Sequence, residues 1–436
     1  MTRRTRLETK HLFLHCGKLI NPSTELVLND AYVELNNGKI YAITLSQPEI
    51  PADAELIDFS DKTIIPGLFD THGHLYGGGL IERHISNEKL VTLYLAGGVT
   101  SVRLPGSMEP DTDLALRDRI DAGFFDGPRL FLSGVYLDMP NTIVRWLEEL
   151  HTPEEARLKI DHSISEGATS VKIYASMRGE ILKAAVEHGH AHGVKVIAHV
   201  GAVSFREAIE YGIDELFHGI ICCPETWPIG MKTVDYKRIF ETVPSLDLEK
   251  TDLPAVLQRA RDAGVVITPT TAVIQPMDLN SRTQVDQKRF YAPEAWEKLA
   301  GKKLLDGSEN EEGLYRKQIE FINMAYQAGC MLTTGTDITN YAKLPGFSLY
   351  DEMEIFALAG VPGMEILKAA TCNAATAIGR GDLLGAVQPG KLADLVVLNE
   401  DPLENISNVR EIYRVIKAGV VYDPQTLYEP LVGQIR

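Results

Sequence analysis

The segment Ile64-Ile65-Pro66-Gly67-Leu68-Phe69-Asp70-Thr71-His72-Gly73-His74 joins an apolar run to two histidines. The apolar run, which is partly β-branched, predicts a buried β-strand that ends at Asp70. Beyond it, His72 and His74 stand two residues apart, so on an extended chain both side chains point to the same side. Two neutral imidazoles in that arrangement can bind one metal ion. The segment therefore predicts a strand with a metal-binding end.

Further apolar segments of strand length follow, and segments with helical periodicity separate them. This alternation is typical of βα units around a parallel sheet. Eight strands and their helices over roughly 300 residues match the size of a closed (β/α)8 TIM barrel, so the sequence predicts an α/β fold of that class. The predicted strands are Ile64–Asp70, Val99–Pro105, Leu130–Val135, Ser170–Ala175, Lys195–Val200, Glu215–His218, Val265–Thr270 and Met331–Asp337.

Both ends of the chain have a different pattern, with short alternating apolar segments between Gly-, Asn- and Pro-rich turns. Such segments predict a small β module. Because chain termini commonly lie close together in folded domains, the two ends are expected to pair into one β-sandwich interrupted by the barrel. The expected division is residues 1–65 for the first part of the sandwich, 66–380 for the barrel and 381–436 for the second part.

Composition excludes several classes of protein. The chain has 436 residues and a formal net charge of −17, and its basic residues form no extended run, which argues against binding to nucleic acid or to an anionic membrane. No apolar run reaches the roughly 18 residues of a membrane span. Five cysteines without CxxC spacing predict neither a disulfide framework nor a thiolate zinc site. We expect the protein to be cytoplasmic.

Active sites of these barrels lie at the carboxyl ends of the strands, so polar residues that end an apolar strand are candidate site residues. Imidazole and carboxylate groups suit zinc, and also manganese, nickel or iron. The sequence therefore predicts a metal site at this rim of the barrel. Its candidate ligands are His72, His74, Lys172, His199, His218 and Asp337.

Lys172 lies within an apolar strand, where an unpaired charge is costly. It needs an acidic partner or conversion to another species. A neutral lysine amine can react with carbon dioxide to give a carbamate, whose two oxygens can bridge two cations. Tyr174, two residues further along the same strand face, could hydrogen-bond a reaction intermediate, or it could simply pack against the rim.

A second group of histidines has the same two-residue spacing, in His188-Gly189-His190-Ala191-His192. This group ends a helical segment and precedes the fifth strand, which places it at the opposite face of the barrel. We interpret it as a solvated helix end, where polar or cationic groups interact favourably with the helix dipole.

The order His-x-His, Lys, His, His, Asp on successive strands resembles the amidohydrolase superfamily, in the branch with two metals bridged by a carboxylated lysine. Residues 374–379 and 385–398 are similar to the return of that family into its β-sandwich. Within the superfamily, the segments that look most like the group of imidazolonepropionase-like and prolidase-like enzymes are Gly97-Gly98-Val99-Thr100-Ser101-Val102-Arg103, Lys172-Ile173-Tyr174-Ala175 and Gly335-Thr336-Asp337.

The resemblance implies a role for each ligand. His72, His74 and Asp337 would hold the more buried ion, and His199 and His218 the more exposed one. Carbamylated Lys172 would bridge both ions, and Asp337 would also act as the catalytic base. The implied reaction is cleavage of a C–N amide bond in a dipeptide, an N-acyl amino acid or a related amide by a hydroxide that bridges the metals. Relatives are often homo-oligomers.

Two alternatives stay open. A lactonase or phosphotriesterase could use the same metal site, because activated hydroxide attacks either kind of centre and the barrel does not decide the substrate. A non-catalytic scaffold or binding relative would be expected to lack a ligand, whereas all six positions are filled.

Overall fold

The computed structural model describes residues 11–75, 85–140, 148–229, 231, 234–276, 278, 281–300, 309–338 and 343–436. Its strands are β1 (His11–Asn21), β2 (Leu26–Asn36), β3 (Lys39–Thr44), β4 (Glu55–Pro66), β5 (Leu68–Asp70), β6 (Val99–Leu104), β7 (Arg129–Leu132), β8 (Tyr136–Asp138), β9 (Glu148–Glu149), β10 (Ser170–Ile173), β11 (Lys195–Ala198), β12 (Glu215–Phe217), β13 (Val266–Thr268), β14 (Met331–Leu332), β15 (Leu395–Leu398), β16 (Ile412–Lys417) and β17 (Val420–Tyr422).

Helices alternate with the central strands, as the periodicity predicts. They are α1 (Asn87–Ala96), α2 (Pro110–Asp121), α3 (Pro153–Ser165), α4 (Gly179–Ala191), α5 (Phe205–Glu210), α6 (Tyr236–Thr242), α7 (Leu253–Ala263), α8 (Arg282–Lys288), α9 (Pro293–Ala300), α10 (Glu309–Gln327), α11 (Phe347–Leu358), α12 (Gly363–Ala369), α13 (Cys372–Ala377) and α14 (Pro424–Tyr428). Within the described ranges, none of them combines the length and the hydropathy needed to cross a bilayer.

Local sequence signals set the starts of the helices beside the site. The side chain of Thr152 accepts a hydrogen bond from the backbone N–H of Glu155, and Pro153 occupies the first turn of α3. Ser204 and Glu207 form a capping box at the start of α5. These side chains satisfy N–H groups that have no partner inside the helix, so they fix where each helix begins.

The two ends of the chain form one seven-stranded sheet in the order β17-β16-β15-β4-β1-β2-β3. Strand β4 joins the ends, because it pairs in parallel with β1 on one edge and antiparallel with β15 on the other. The expected pairing of the termini is therefore present. The expected β-sandwich stays a prediction, since hydrogen bonding through β4 joins the described strands into one continuous sheet. The domain boundaries after residues 65 and 380 stay a prediction.

All eight predicted barrel strands are present, most of them shorter than predicted. The third is interrupted at Ser133-Gly134, where Gly134 has a φ of +68°. Its first part, β7, pairs with β6, and its continuation, β8, pairs with β10. The described strands thus form a three-stranded sheet, β5-β6-β7, and a seven-stranded sheet, β14-β13-β12-β11-β10-β8-β9. Every pair in both is parallel, which makes this an α/β fold of the TIM-barrel type.

An ion pair lies among these strands, between Arg103 of β6 and Glu215 of β12. Nη2 of Arg103 is 2.5 Å from Oε1 of Glu215, and both residues are 1% exposed. Nε of Arg103 also donates to the carbonyl of Thr71 at 2.8 Å, and the hydroxyl of Thr268 donates to Glu215. Each charge therefore has both its counter-charge and a further hydrogen bond, as burial requires.

Removing one partner of this pair should be more harmful than removing the pair. We expect Arg103→Met to lower the free energy of unfolding by about 3–5 kcal/mol, because the carboxylate of Glu215 stays buried without its counter-charge. Adding Glu215→Gln should recover part of that loss, since glutamine is neutral and still accepts from Thr268. Urea denaturation of the two variants tests this; a double variant no more stable than Arg103→Met would contradict the assignment.

Candidate metal centre

The six predicted ligands lie at the same ends of the barrel strands. His72 and His74 follow β5, Lys172 is in β10, and the other three follow β11, β12 and β14. The four histidines and Lys172 are buried, and the side chain of Asp337 is 18% exposed. Residues that are distant in the sequence therefore converge because parallel strands end at a common rim.

His72, His74 and Asp337 form the tightest part of the cluster. One ligand atom from each lies within 4.8 Å of the other two. Oδ1 of Asp337 is 3.1 Å from Nε2 of His74 and 3.6 Å from Nε2 of His72. Two imidazoles and one carboxylate at this spacing are a donor set that suits zinc and related divalent cations.

His218 and His199 extend the cluster from the other side of Asp337. Nδ1 of His218 is 3.6 Å from Oδ2 of Asp337, and its ring centre lies 4.9 Å from that of His72. The ring of His199 is 4.5 Å from that of His218. Burial lowers the pKa of His72 and of His199 well below the usual value. Both rings are therefore neutral at pH 7, the form that binds metals.

Lys172 has no hydrogen-bond partner for its Nζ among the described residues. The Nζ lies 3.7 Å from the ring centre of Phe217. Burial lowers the pKa of this amine well below its usual value; the charge of Asp337 opposes this shift, and that of Arg103 adds to it. A buried lysine needs either an acidic partner or conversion to another species. The described contacts include no acid paired directly with Lys172. The neutral amine that carbamate formation needs is the favoured species.

Three residues at the strand ends, His218, Thr270 and Asp337, adopt left-handed backbone conformations, with φ of 66°, 50° and 48°. Such conformations are unfavourable for residues other than glycine and persist where the surrounding structure enforces them. The hydroxyl of Thr270 lies 2.8 Å from Nδ1 of His218. Two predicted ligands and one supporting residue are thus held in strained turns, as is common at functional sites.

Asp70 connects the first and last strands beneath the ligands. Its carboxylate accepts hydrogen bonds from the backbone N–H of His72 at 3.1 Å and from the N–H and hydroxyl of Thr336 at 3.1 and 2.6 Å. The backbone N–H of Asp337 in turn donates to the carbonyl of His72 at 2.7 Å. Burial raises the pKa of Asp70 to about 6, and these hydrogen bonds oppose that shift.

Two tyrosines line one side of the cluster. The hydroxyl of Tyr136 is 3.4 Å from Nδ1 of His74, and its ring meets that of Tyr174 edge-on at 5.5 Å. The ring of Tyr174 lies 4.4 Å from that of His199. Burial raises the pKa of both phenols. Tyr174 therefore packs against a predicted ligand, and its contact with substrate stays a prediction.

A small pocket opens beside this wall, and its lining includes His74, Leu104, Gly106, Asp113 and Tyr136. Asp113 is 3% exposed, and its Oδ1 has no hydrogen-bond partner among the described residues. Burial raises its pKa to about 6. Gly106 makes room for Tyr136, because a Cβ at this position would lie 2.5 Å from the tyrosine ring.

Sequence reasoning missed several of these residues. Thr270 follows β13, so the rule that polar residues end the barrel strands would have found it. Asp70 lies in the opening segment itself, but its function depends on Thr336, which is distant in the sequence. Tyr136 gave no signal, because it continues a strand that is interrupted two residues earlier.

The second histidine group lies where the sequence predicts. Helix α4 ends at Ala191, His192 caps it, and β11 then begins at Lys195. These histidines are therefore at the end of the barrel opposite to His199. Two of them, His188 and His192, group with Asp161 of α3, a residue that the sequence did not indicate.

Comparisons with known proteins identify the family of the chain. The model of the Amidohydrolase family matches residues 63–422. An imidazolonepropionase of Streptococcus sanguinis is 24% identical over 405 residues, which cover 86% of this chain and 85% of that protein. An ochratoxinase of Aspergillus niger is 24% identical over 480 residues, covering 95% and 87%.

A solved structure of a Xaa-Pro dipeptidase with bound methionine in its active site superimposes with a TM-score of 0.72. The two chains are 21% identical, and the match covers 95% of this chain and 100% of that one, so they share a fold. The chain is therefore a hydrolase of carbon–nitrogen bonds that belongs to the Amidohydrolase family.

Proposed function

We propose that this enzyme hydrolyses the amide bond of a small substrate, such as a dipeptide or an N-acyl amino acid, with two divalent metal ions. The observation that supports this most is the convergence of His72, His74 and Asp337 with three further potential ligands at one rim of the barrel.

We also propose that the fold is a closed barrel. Backbone hydrogen bonds from Thr71 to Thr334 and from Thr169 to Leu132 support closure, because they connect the two sheets.

The donor atoms fit a binuclear centre. Nε2 of His199 and Nζ of Lys172 are buried without a hydrogen-bond partner in the described part of the chain, a costly state that coordination would relieve. His72, His74 and Asp337 would hold one ion, His199 and His218 the other, and Lys172 both. When bound, zinc or a similar cation, such as manganese, nickel or iron, would lower the pKa of a water and polarise the substrate carbonyl.

Lys172 would join both ions as a carbamate. Its neutral Nζ would attack the carbon of carbon dioxide and release one proton, which leaves a planar anion with two oxygens. Desolvation favours the neutral amine and so keeps the attacking lone pair available. The cation of Arg103, whose charge contributes to the low pKa of Lys172, would favour the anionic product.

Asp337 would move the proton. One of its carboxylate oxygens would accept a proton from the attacking water and then donate it to the nitrogen of the leaving amine, so that one water yields one acid and one amine. The hydrogen bond between its backbone N–H and the carbonyl of His72 fixes the position of this carboxylate. The rings of Tyr136 and Tyr174 would limit the access of bulk water on one side.

Cytoplasmic localisation, the absence of nucleic-acid and membrane partners, and assembly into a homo-oligomer stay predictions.

Amine release from a panel of dipeptides and N-acyl amino acids tests the reaction, with lactones and phosphotriesters as rival substrates. We expect amide cleavage that falls about 100-fold to 10,000-fold in Asp337→Asn, because the amide cannot accept the proton. Circular dichroism should show that this variant is folded. Turnover of esters alone would contradict the proposed substrate class, and unchanged amide cleavage in the variant would remove Asp337 from its role.

Metal content tests the bridging role of Lys172. We expect Lys172→Ala to lose at least one of the two bound ions, because a methyl group supplies no oxygen ligands, and added short carboxylic acids should restore part of the activity. Lys195→Ala is the control, since Lys195 lies at the opposite end of the neighbouring strand and pairs with Asp214. Full metal content in Lys172→Ala would contradict the bridge.

The contact between Thr270 and His218 provides a further test, in which the expected loss of metal affinity or activity is smaller. Thr270→Val keeps the shape of the side chain and removes the hydroxyl beside Nδ1. We expect metal affinity or kcat/KM to fall about 10- to 100-fold, because groups that orient a ligand histidine have effects of that size. Thr270→Ser keeps the hydroxyl and should stay near wild type. Equal losses in both variants would indicate a purely structural role.

A further inference from the structure

Outside the barrel, α3 and α4 present a second group of potential metal ligands, Asp161, His188 and His192. One ligand atom from each lies within 4.8 Å of the other two. Oδ1 of Asp161 is 2.7 Å from Nε2 of His188 and 4.0 Å from Nε2 of His192. The two histidines are four residues apart at the end of α4, so they share one helix face, and their ring centres are 4.3 Å apart.

The tautomer of His192 is set by a neighbouring backbone carbonyl. Nδ1 of His192 lies 2.9 Å from the carbonyl oxygen of His188, and since that oxygen can only accept, Nδ1 carries the proton. In the neutral ring, Nε2 is then left with a free lone pair directed towards Asp161 and His188. Metal-binding histidines typically have this arrangement, with the second ring nitrogen donating to a carbonyl or carboxylate.

We propose that Asp161, His188 and His192 form a metal site distinct from the one in the barrel, for zinc or a similar cation such as nickel or copper. With metal–ligand bonds of about 2.0–2.2 Å, tetrahedral ligand atoms lie about 3.3–3.6 Å apart. The distance from Asp161 to His188 must therefore lengthen slightly, and that to His192 must shorten. The side chains of Asp161 and His192 are 50% and 46% exposed, which leaves them free to adjust.

Binding would require the other tautomer of His188. Its Nε2 now donates to Asp161, so the ring must give that proton to water and take one up at Nδ1 before Nε2 can bind the cation. Three protein ligands leave a fourth position for water, and the bound ion would connect α3 to α4. This proposal does not depend on the reaction proposed above.

His190 is a matched control on the same helix. Its Nε2 lies 2.8 Å from Oδ2 of Asp214, but Asp214 already accepts from Lys195 and from the backbone N–H of Val196. A bound cation there would face the ammonium group of Lys195. His190 therefore has a carboxylate neighbour and an exposure similar to that of His192, without the geometry of a metal site.

Zinc binding to the whole protein, measured by competition with a chromophoric chelator, tests the proposal. We expect His188→Ala and His192→Ala each to bind one equivalent less than wild type, and His190→Ala to bind the full number. Copper bound at this site should show coupling to two nitrogens by electron paramagnetic resonance, and this signal should be absent in His192→Ala.

Equal zinc binding by wild type, His188→Ala and His192→Ala would overturn the proposal, and so would an equal loss in His190→Ala. The test compares the zinc bound by different variants, so it can be interpreted whether or not the barrel site binds metal. If the protein does not hydrolyse amides, wild type and all variants will be equally inactive, and the difference in zinc binding between them will remain.

Discussion

The carboxylate of Asp70 is the constraint on which the barrel site depends. It binds the backbone of His72 at the end of β5 and both the backbone and the hydroxyl of Thr336 beyond β14. These contacts bring the first and last strands of the barrel together at their carboxyl ends. They also place His72 beside Asp337, because His72 is one of the bonded residues and Asp337 directly follows Thr336. A buried carboxylate with three donors is rigid, so the ligands on either side of it are positioned before any ion binds.

Burial determines the protonation state of this site. Desolvation is the largest effect on the pKa of His72, Lys172, His199 and His218, and in each case it lowers that pKa. The neutral forms have free lone pairs, which are costly to leave without a partner in a protein interior. The same residues would be a poor choice for a purely structural core, where apolar side chains of equal volume pack without that cost. The ion pair of Arg103 and Glu215 resolves the same difficulty differently, by pairing opposite charges.

The convergence of the candidate ligands can be predicted from the sequence, because their positions follow from strand periodicity. His72 and His74 share a side through their two-residue spacing, and Lys172, His199, His218 and Asp337 follow from the rule that barrel sites lie at strand ends. Contacts between distant segments are not encoded in a local pattern. The break of the third strand at Gly134, the pairing of β4 on both edges and the grouping of Asp161 with α4 all depend on such contacts. The position of Tyr136 beside His74 is another example.

Anomalous diffraction from crystals of the zinc-loaded enzyme is the most direct test of the account. It predicts two ions at the rim, one bonded to His72, His74 and Asp337 and the other to His199 and His218. Density should extend from Nζ of Lys172 to both ions, with the shape of a carbamate. An ion-free rim in zinc-loaded crystals, or ions bound without any connection to Lys172, would contradict the central claim.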